Sequence, residues 1–336
     1  MNLENKQNRI GYIDFLKFIG LTGIIIAHVS SPTWLMALRS FDVPFMVIIS
    51  SILGEKSYLK VTKNQISTFQ YYINRFKRLV FPTWLFLLFY FSLYFILSGD
   101  LFELDYYIAS FALTRYGIGY VWIILIYLYS ALLIPLFAKI KLSKVGIICI
   151  STIYFLYEIA FYFQIGANSK LLNTTLYYII PYGVLTYLGY NYCNIKKSYK
   201  YVIAILSFVV FLSFGIYYWN IYGTPQLVNI SKYPPRVYYL AFGVAISFFL
   251  LIIFEKFQFK IYNNPFICFI SKNSLWIYLW HILILTAYDY LRLPRMWIIE
   301  LIVVYMSAIV IVYVVNKILD VVDKRRTLKI FKYLRG

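Results

Sequence analysis

The sequence predicts an all-α polytopic membrane protein with about ten transmembrane helices and both termini cytoplasmic. Three observations predict it. Of 336 residues, 62% are hydrophobic and 13% charged, against roughly half and a quarter in soluble domains. The apolar residues come in long blocks such as Leu79–Leu97, Val145–Phe163 and Trp297–Val315, each close to the ~20 residues that span a hydrocarbon core. The basic residues fall mostly on one side of those blocks. With a formal charge of +19, a soluble chain would suggest a nucleic-acid partner; here the excess belongs first to the loops of a bilayer protein.

The first helix is expected at about 12–31. A charged start precedes the apolar run from Phe18 to Ala27, but Asp14 and Lys17 intrude and no small-residue cleavage site is evident, so the segment reads as a retained helix rather than a signal peptide. Lys17 and His28 are eleven residues apart, so on a helix they point almost the same way, about 16 Å apart along the axis. Ionisable groups inside a span are costly and usually face a cavity or a partner. A neutral imidazole at His28 can take a proton, as a general base must. The competing readings are that Lys17 snorkels to the inner headgroups and that His28 makes a packing hydrogen bond.

The second helix is expected at about 38–54, with Asp42 near its edge, and the third at about 79–98. Arg75 and Arg78 stand just before the third and share a face on the cytoplasmic side. An anionic donor from the cytosol would meet them there, though ordinary positive-inside anchoring accounts for them equally. An outer loop with Asp100, Glu103 and Asp105 follows.

The fourth and fifth helices are expected at about 119–138, containing Trp122, and 145–163, containing Glu158. Glu158 reads as a hydrogen-bonded or protonated packing residue. The next three are expected at about 175–193, 201–219 and 236–254. The ninth, at about 267–288, carries the second of two histidines, His281, for which packing is the favoured reading; the tenth, at about 296–316, has Glu300 near its edge. A basic cytoplasmic tail, 317–336, closes the chain. No separate soluble domain or repeat is visible.

With the N-terminus inside, most of the 32 Lys and Arg fall in cytoplasmic segments. Only Arg39, Arg115, Lys170, Lys232, Arg236, Arg292 and Arg295 fall on or near the outside. That asymmetry is the positive-inside rule over short loops, and a span missed in mid-chain would destroy it. The Tyr and Trp near helix ends read as interfacial belt and packing. Cys149, Cys193 and Cys268 have neither metal-ligand spacing nor an even count for pairing.

Five segments in order carry a resemblance. Tyr12-Ile-Asp-Phe-Leu-Lys17 is followed by ten residues and His28. Val43-Pro-Phe-Met-Val-Ile-Ile-Ser50 follows, then Arg75-Phe-Lys-Arg78-Leu-Val-Phe-Pro82-Thr-Trp84, then Val121-Trp122-Ile-Ile-Leu with the later Ile134-Pro135-Leu. Last comes Asn273-Ser274-Leu-Trp-Ile-Tyr278-Leu-Trp-His281. Along nearly the whole chain this resembles membrane-bound acyltransferase family 3, bacterial multi-span O-acyltransferases of surface carbohydrates. The chain departs from that pattern at Lys17, where the family usually has Arg, and at Ser51, where it has Gly. A lysine keeps the charge of the arginine fork but not its bidentate geometry.

The resemblance implies transfer of an acyl group, expected to be acetyl, from cytoplasmic acyl-CoA to a hydroxyl of a cell-surface or lipid-linked polysaccharide, by a protein of the bacterial plasma membrane. Acetyl-CoA or another acyl-CoA is then a donor substrate, with no permanently bound cofactor, no metal and no nucleic-acid partner. His28 is the implied general base on the acceptor hydroxyl, and Lys17, Arg75 and Arg78 bind and orient the CoA. Asp14, Trp122, Ser274, Tyr278 and His281 are cavity candidates. A polysaccharide exporter without transfer activity is the alternative. The sequence leaves open the acyl group, the sugar and the oligomeric state.

Overall fold

A computed structural model of the chain describes residues 11–166, 169–257, 259–323 and 331–335. In order the helices are α1 (Gly11–Ile26), α2 (Thr33–Leu38), α3 (Asp42–Lys63), α4 (Thr68–Ser98), α5 (Leu104–Phe111), α6 (Trp122–Ile140), α7 (Lys144–Tyr162) and α8 (Lys170–Thr174). They continue with α9 (Leu176–Asn191), α10 (Lys197–Tyr222), α11 (Val237–Lys256), α12 (Pro265–Lys272), α13 (Ser274–Tyr290), α14 (Trp297–Val322) and α15 (Phe331–Leu334). No strand forms among the described residues; Lys232 and Pro235 make one isolated antiparallel bridge. Helices satisfy their own backbone groups, which is what a bilayer interior demands.

Each of the ten expected segments is helical. Among the described residues, seven helical segments are long and apolar enough to cross a membrane, and α12 with α13, taken as one bent span, would make eight. At 16 residues each, α1 and α9 are only about 24 Å long, short of a ~30 Å hydrocarbon core. Lipid exposure is written on α10, where Ile205, Leu206, Val209 and Ile216 all stand exposed. Such a helix finds its apolar surroundings in a membrane rather than in a protein core.

Three boundaries differ from the sequence expectation for physical reasons. The first helix stops at Ile26 rather than near 31: His28 N–H bonds to the Ile25 carbonyl at 3.0 Å, so the last turn tightens, and Pro32 forbids continuation. His28 therefore sits on the turn leaving α1, not on a helical face shared with Lys17. The third helix begins eleven residues before 79, at Thr68, because Ser67 caps it by accepting from Gln70 N–H. Arg75 and Arg78 thus lie within α4. The expected helix at 267–288 is broken at Asn273, where α12 and α13 meet at 78°.

The chain divides into two compact units, Met1–Asp42 with Phe248–Gly336, and Val43–Ser247. In the first, α1 packs against α12, α13 and α14 through Ile13, Leu16, Gly20, Leu21, Ile24 and Ile25, the three- and four-residue spacing of one helical stripe. The C-terminal segment is less free than a tail. Trp276 Nε1 donates to the Tyr333 carbonyl at 3.1 Å, and Arg335 donates to the Leu319 carbonyl at 2.7 Å and pairs with Asp320 at 3.3 Å. Its basic residues Lys324, Arg325, Arg326 and Lys329 lie outside the described residues.

In the second unit α9 packs against α6 and α7, and α4 against α6. Gly189 on α9 lets its backbone meet α3 so closely that a Cβ there would stand 2.5 Å from the Ile48 carbonyl and 2.8 Å from Ser51 Cβ. Ser51, with its hydroxyl turned back on Val47 O at 2.7 Å, is thus a small residue in a slot that admits little more than Gly or Ser. Glu158 is a packing residue with an ionic partner: it accepts from Arg236 Nε at 2.6 Å, Tyr154 OH at 2.6 Å and Val237 N–H at 2.9 Å, anchoring the start of α11.

Candidate active site

The first unit gathers both histidines. His28 is carried by the turn after α1, and that turn is fastened from α14. Ser30 N–H donates to Glu300 Oε2 at 3.0 Å, and Glu300, fully buried, lies in the first turn of α14, where the helix dipole favours a carboxylate. Arg295 completes the clasp. Its guanidinium pairs with Asp289 at 2.6 Å, stands 3.8 Å from Glu300 and reaches Ser30 Oγ at 3.3 Å.

His28 Nδ1 and His281 Nε2 are 2.8 Å apart, the rings nearly parallel at 13°. His281 is fully buried on α13, and its Nδ1 bonds the Tyr278 backbone carbonyl. A carbonyl only accepts, so His281 Nδ1 carries the proton. In neutral His281 the Nε2 then holds a lone pair, and the proton between the rings belongs to His28 Nδ1. By the same reasoning a neutral His28 carries its lone pair on Nε2. The chain from Tyr278 O through His281 to His28 sets one tautomer and one ring orientation, as an orienting partner does for a catalytic base. The Tyr278 ring packs 4.8 Å from His281 and 6.3 Å from His28, centroid to centroid.

A second polar cluster joins α1 to the end of α12. Lys17 Nζ donates to the Ser271 carbonyl at 2.5 Å, and Ser271 Oγ donates to Asp14 Oδ1 at 2.5 Å. Ser271 O belongs to the last turn of α12, whose exposed carbonyls attract a cation. The break beside it is held by Asn273, which donates to Phe269 O at 2.7 Å and accepts from Asn316 Nδ2 at 2.7 Å. The hydroxyl that meets Asp14 is thus Ser271, three residues before the expected Ser274, which opens α13 half-buried.

The remaining candidates lie in the second unit. Arg75 places its guanidinium 5.2 Å from the Tyr71 ring centroid, while Arg78 is exposed. The Trp122 ring packs against Tyr178 and Tyr233, at 5.8 and 5.4 Å. Asp14, Lys17, Tyr278, His28 and His281 are therefore drawn into one unit, and Arg75, Arg78 and Trp122 belong to the other. Ser271, Arg295 and Glu300 were not among the sequence candidates for the site. Glu300 alone left a signal, an acid opening an apolar run. Among the described residues no group of three or more His, Cys, Asp or Glu could hold a metal ion.

Residues 10–317 match the family described as an acyltransferase domain, the same family that the five sequence segments resemble. No curated protein and no solved structure matches the chain.

Proposed function

The chain belongs to acyltransferase family 3, and from that membership we propose that it transfers an acyl group, acetyl in the simplest case, from cytoplasmic acyl-CoA to a hydroxyl of a cell-surface or lipid-linked carbohydrate. The observation that carries the reading is the bonded chain from the Tyr278 carbonyl through His281 to His28. An alcohol is a poor nucleophile and needs its proton removed as it attacks.

In the proposed step His28 Nε2 takes the acceptor hydroxyl proton while that oxygen bonds the thioester carbonyl carbon. The imidazolium so formed keeps its Nδ1–H on His281 Nε2. Collapse of the tetrahedral intermediate breaks the C–S bond, and the proton on His28 passes to the departing thiolate, leaving free CoA and the O-acyl ester. Arg75 and Arg78 are assigned the phosphates of CoA, for which charge-assisted bonds suit. Lys17 already gives one N–H to Ser271 O, so its assignment narrows to holding α12 and adding positive potential near the donor.

The same reading takes the ten helical segments as ten crossings of a bacterial plasma membrane within one transferase domain, both termini cytoplasmic. The one-sided basic residues support it.

The test replaces His28 with Gln and with Ala and measures O-acylation of the host surface polysaccharide, with protein level checked in membranes. Transfer falls by about 10²- to 10⁴-fold, the usual worth of a general base. Wild-type acylation in either variant removes the base assignment. Polymer trapped inside a deletion strain, rather than exported unmodified, would favour a translocase instead.

A further inference from the structure

The first turns of α4 are tied to two neighbouring helices. Tyr72 OH donates to the Leu132 carbonyl of α6 at 3.3 Å, and Tyr58 of α3 shares a 3.3 Å hydrogen bond with Thr68, the first residue of α4. Tyr71, in the same turn, is fully buried. Its ring meets that of Tyr58 edge to face, centroids 5.2 Å apart and planes at 75°, and lies 5.8 Å from that of Tyr72. Tyr58 and Tyr71 belong with Ile134 and Phe137 of α6 to one buried apolar cluster. Packing from α3 and α6 therefore fixes the plane of the Tyr71 ring.

Arg75 stands four residues further on and is half-buried. A long side chain on a helix leans back over the preceding turn, and the Arg75 guanidinium comes to lie 5.2 Å from the Tyr71 ring centroid, within reach of a cation–π attraction. Arginines elsewhere in the chain are held by carboxylates instead. Arg39 pairs with Asp42 at 2.8 Å, Arg236 with Glu158 at 2.6 Å and Arg295 with Asp289 at 2.6 Å. A carboxylate takes up N–H groups and cancels charge. Among the described residues no carboxylate pairs with Arg75 or Arg78. A ring face restrains a guanidinium from one side and leaves its charge and N–H fork for another partner. An arginine loses rotamer freedom when it grips an anion, and a seat that holds it beforehand lowers that cost.

We propose that Tyr71 is a positioning residue for the acyl donor, its buried ring seating the Arg75 guanidinium so that the fork is left for a phosphate of CoA. Filling this part of the core needs only an apolar side chain, whereas seating a guanidinium needs the negative face of an aromatic ring. The inference rests on the reading that Arg75 binds acyl-CoA.

The test uses the full chain in nanodiscs of zwitterionic lipid, with coenzyme A as the probe and calorimetry as the readout. Tyr71→Phe keeps the ring and binds CoA within about twofold of the wild type. Phenylalanines carrying one, two and three ring fluorines are then inserted at position 71 by stop-codon suppression. Fluorine drains the negative charge of the ring face while changing its shape little, so Kd for CoA rises stepwise with each fluorine, by about two- to fivefold at three, at an unchanged thermal unfolding midpoint. In an Arg75→Gln background binding is weaker and the series is flat, because no guanidinium is left to seat. A flat series with Arg75 intact, an equal slope in the Arg75→Gln background, or a Kd that rises only as the unfolding midpoint falls overturns the positioning role while leaving the donor reading in place. Absence of CoA binding in the wild type, or binding indifferent to Arg75→Gln, overturns the donor reading and the role of Tyr71 with it.

Discussion

An imidazole becomes a dependable base only when its other nitrogen is told which state to hold. Here that instruction starts from a backbone carbonyl, Tyr278 O, and passes through His281 to His28. His281→Leu removes it while keeping an apolar side chain in a buried place. Transfer is expected to fall towards the His28→Gln level, and its pH profile to change, because His28 is then free to exchange tautomers. His281→Gln, whose amide can both donate to Tyr278 O and accept from His28, restores part of the activity. A profile and rate unchanged in His281→Leu would reduce His281 to packing. Glu300 works one step further out, through the Ser30 N–H. Glu300→Gln still accepts that bond and retains more transfer than Glu300→Ala, a difference read in kcat more than in KM. At this scale the sequence exposed Lys17, His28 and His281 as ionisable groups in apolar runs. It did not expose their pairing, because His28 and His281 are 253 residues apart and no local rule brings them to 2.8 Å.

At the scale of elements, the apolar blocks predict where helices are and leave open how they end or break. Hydropathy does not see a cap, so the apolar block puts the start of α4 near 79, although Ser67 caps the helix and it begins at Thr68. It likewise does not see that an apolar run bends at Asn273, whose backbone N–H and side-chain amide both donate to the Phe269 carbonyl in the last turn of α12. Helix contacts are decided by small residues, and two glycines separate the cases. A Cβ on Gly189 would stand 2.5 Å from Ile48 O, whereas one on Gly215 finds nothing nearer than Tyr238 OH at 3.8 Å. Gly189→Ala is expected to cost about 1–3 kcal/mol by overpacking, and Gly215→Ala to be neutral or stabilising, since Ala is the better helix former by about 1 kcal/mol. Thermal unfolding in one detergent compares them, and equal midpoints would contradict the close approach of α9 to α3.

For the molecule as a whole, the prediction is topological. A fluorescent reporter fused after Gly336 should light up in the cytoplasm, and alkaline phosphatase inserted at Gly223, in the loop after α10, should be active outside. The opposite pattern at either point would remove the ten-crossing scheme and the sidedness of Arg75 and Arg78 with it. The distribution of Lys and Arg reads through to topology because each short loop is sorted by its own charge.

Composition, block length and loop charge are sums over neighbouring residues, so the sequence by itself determined that the chain is helical, rich in membrane-crossing segments and biased in charge, and its ordered motifs pointed to the family. The tertiary structure alone decided which polar residues act together. It placed His28 on a turn clasped by Glu300 and Arg295, gave its ring a partner in His281, and spent the Lys17 ammonium on the last turn of α12. Those pairings join residues some 250 or more positions apart. They arise from packing whole helices, which buries the apolar stripe of α1 and brings its few polar groups to the few others that can satisfy them.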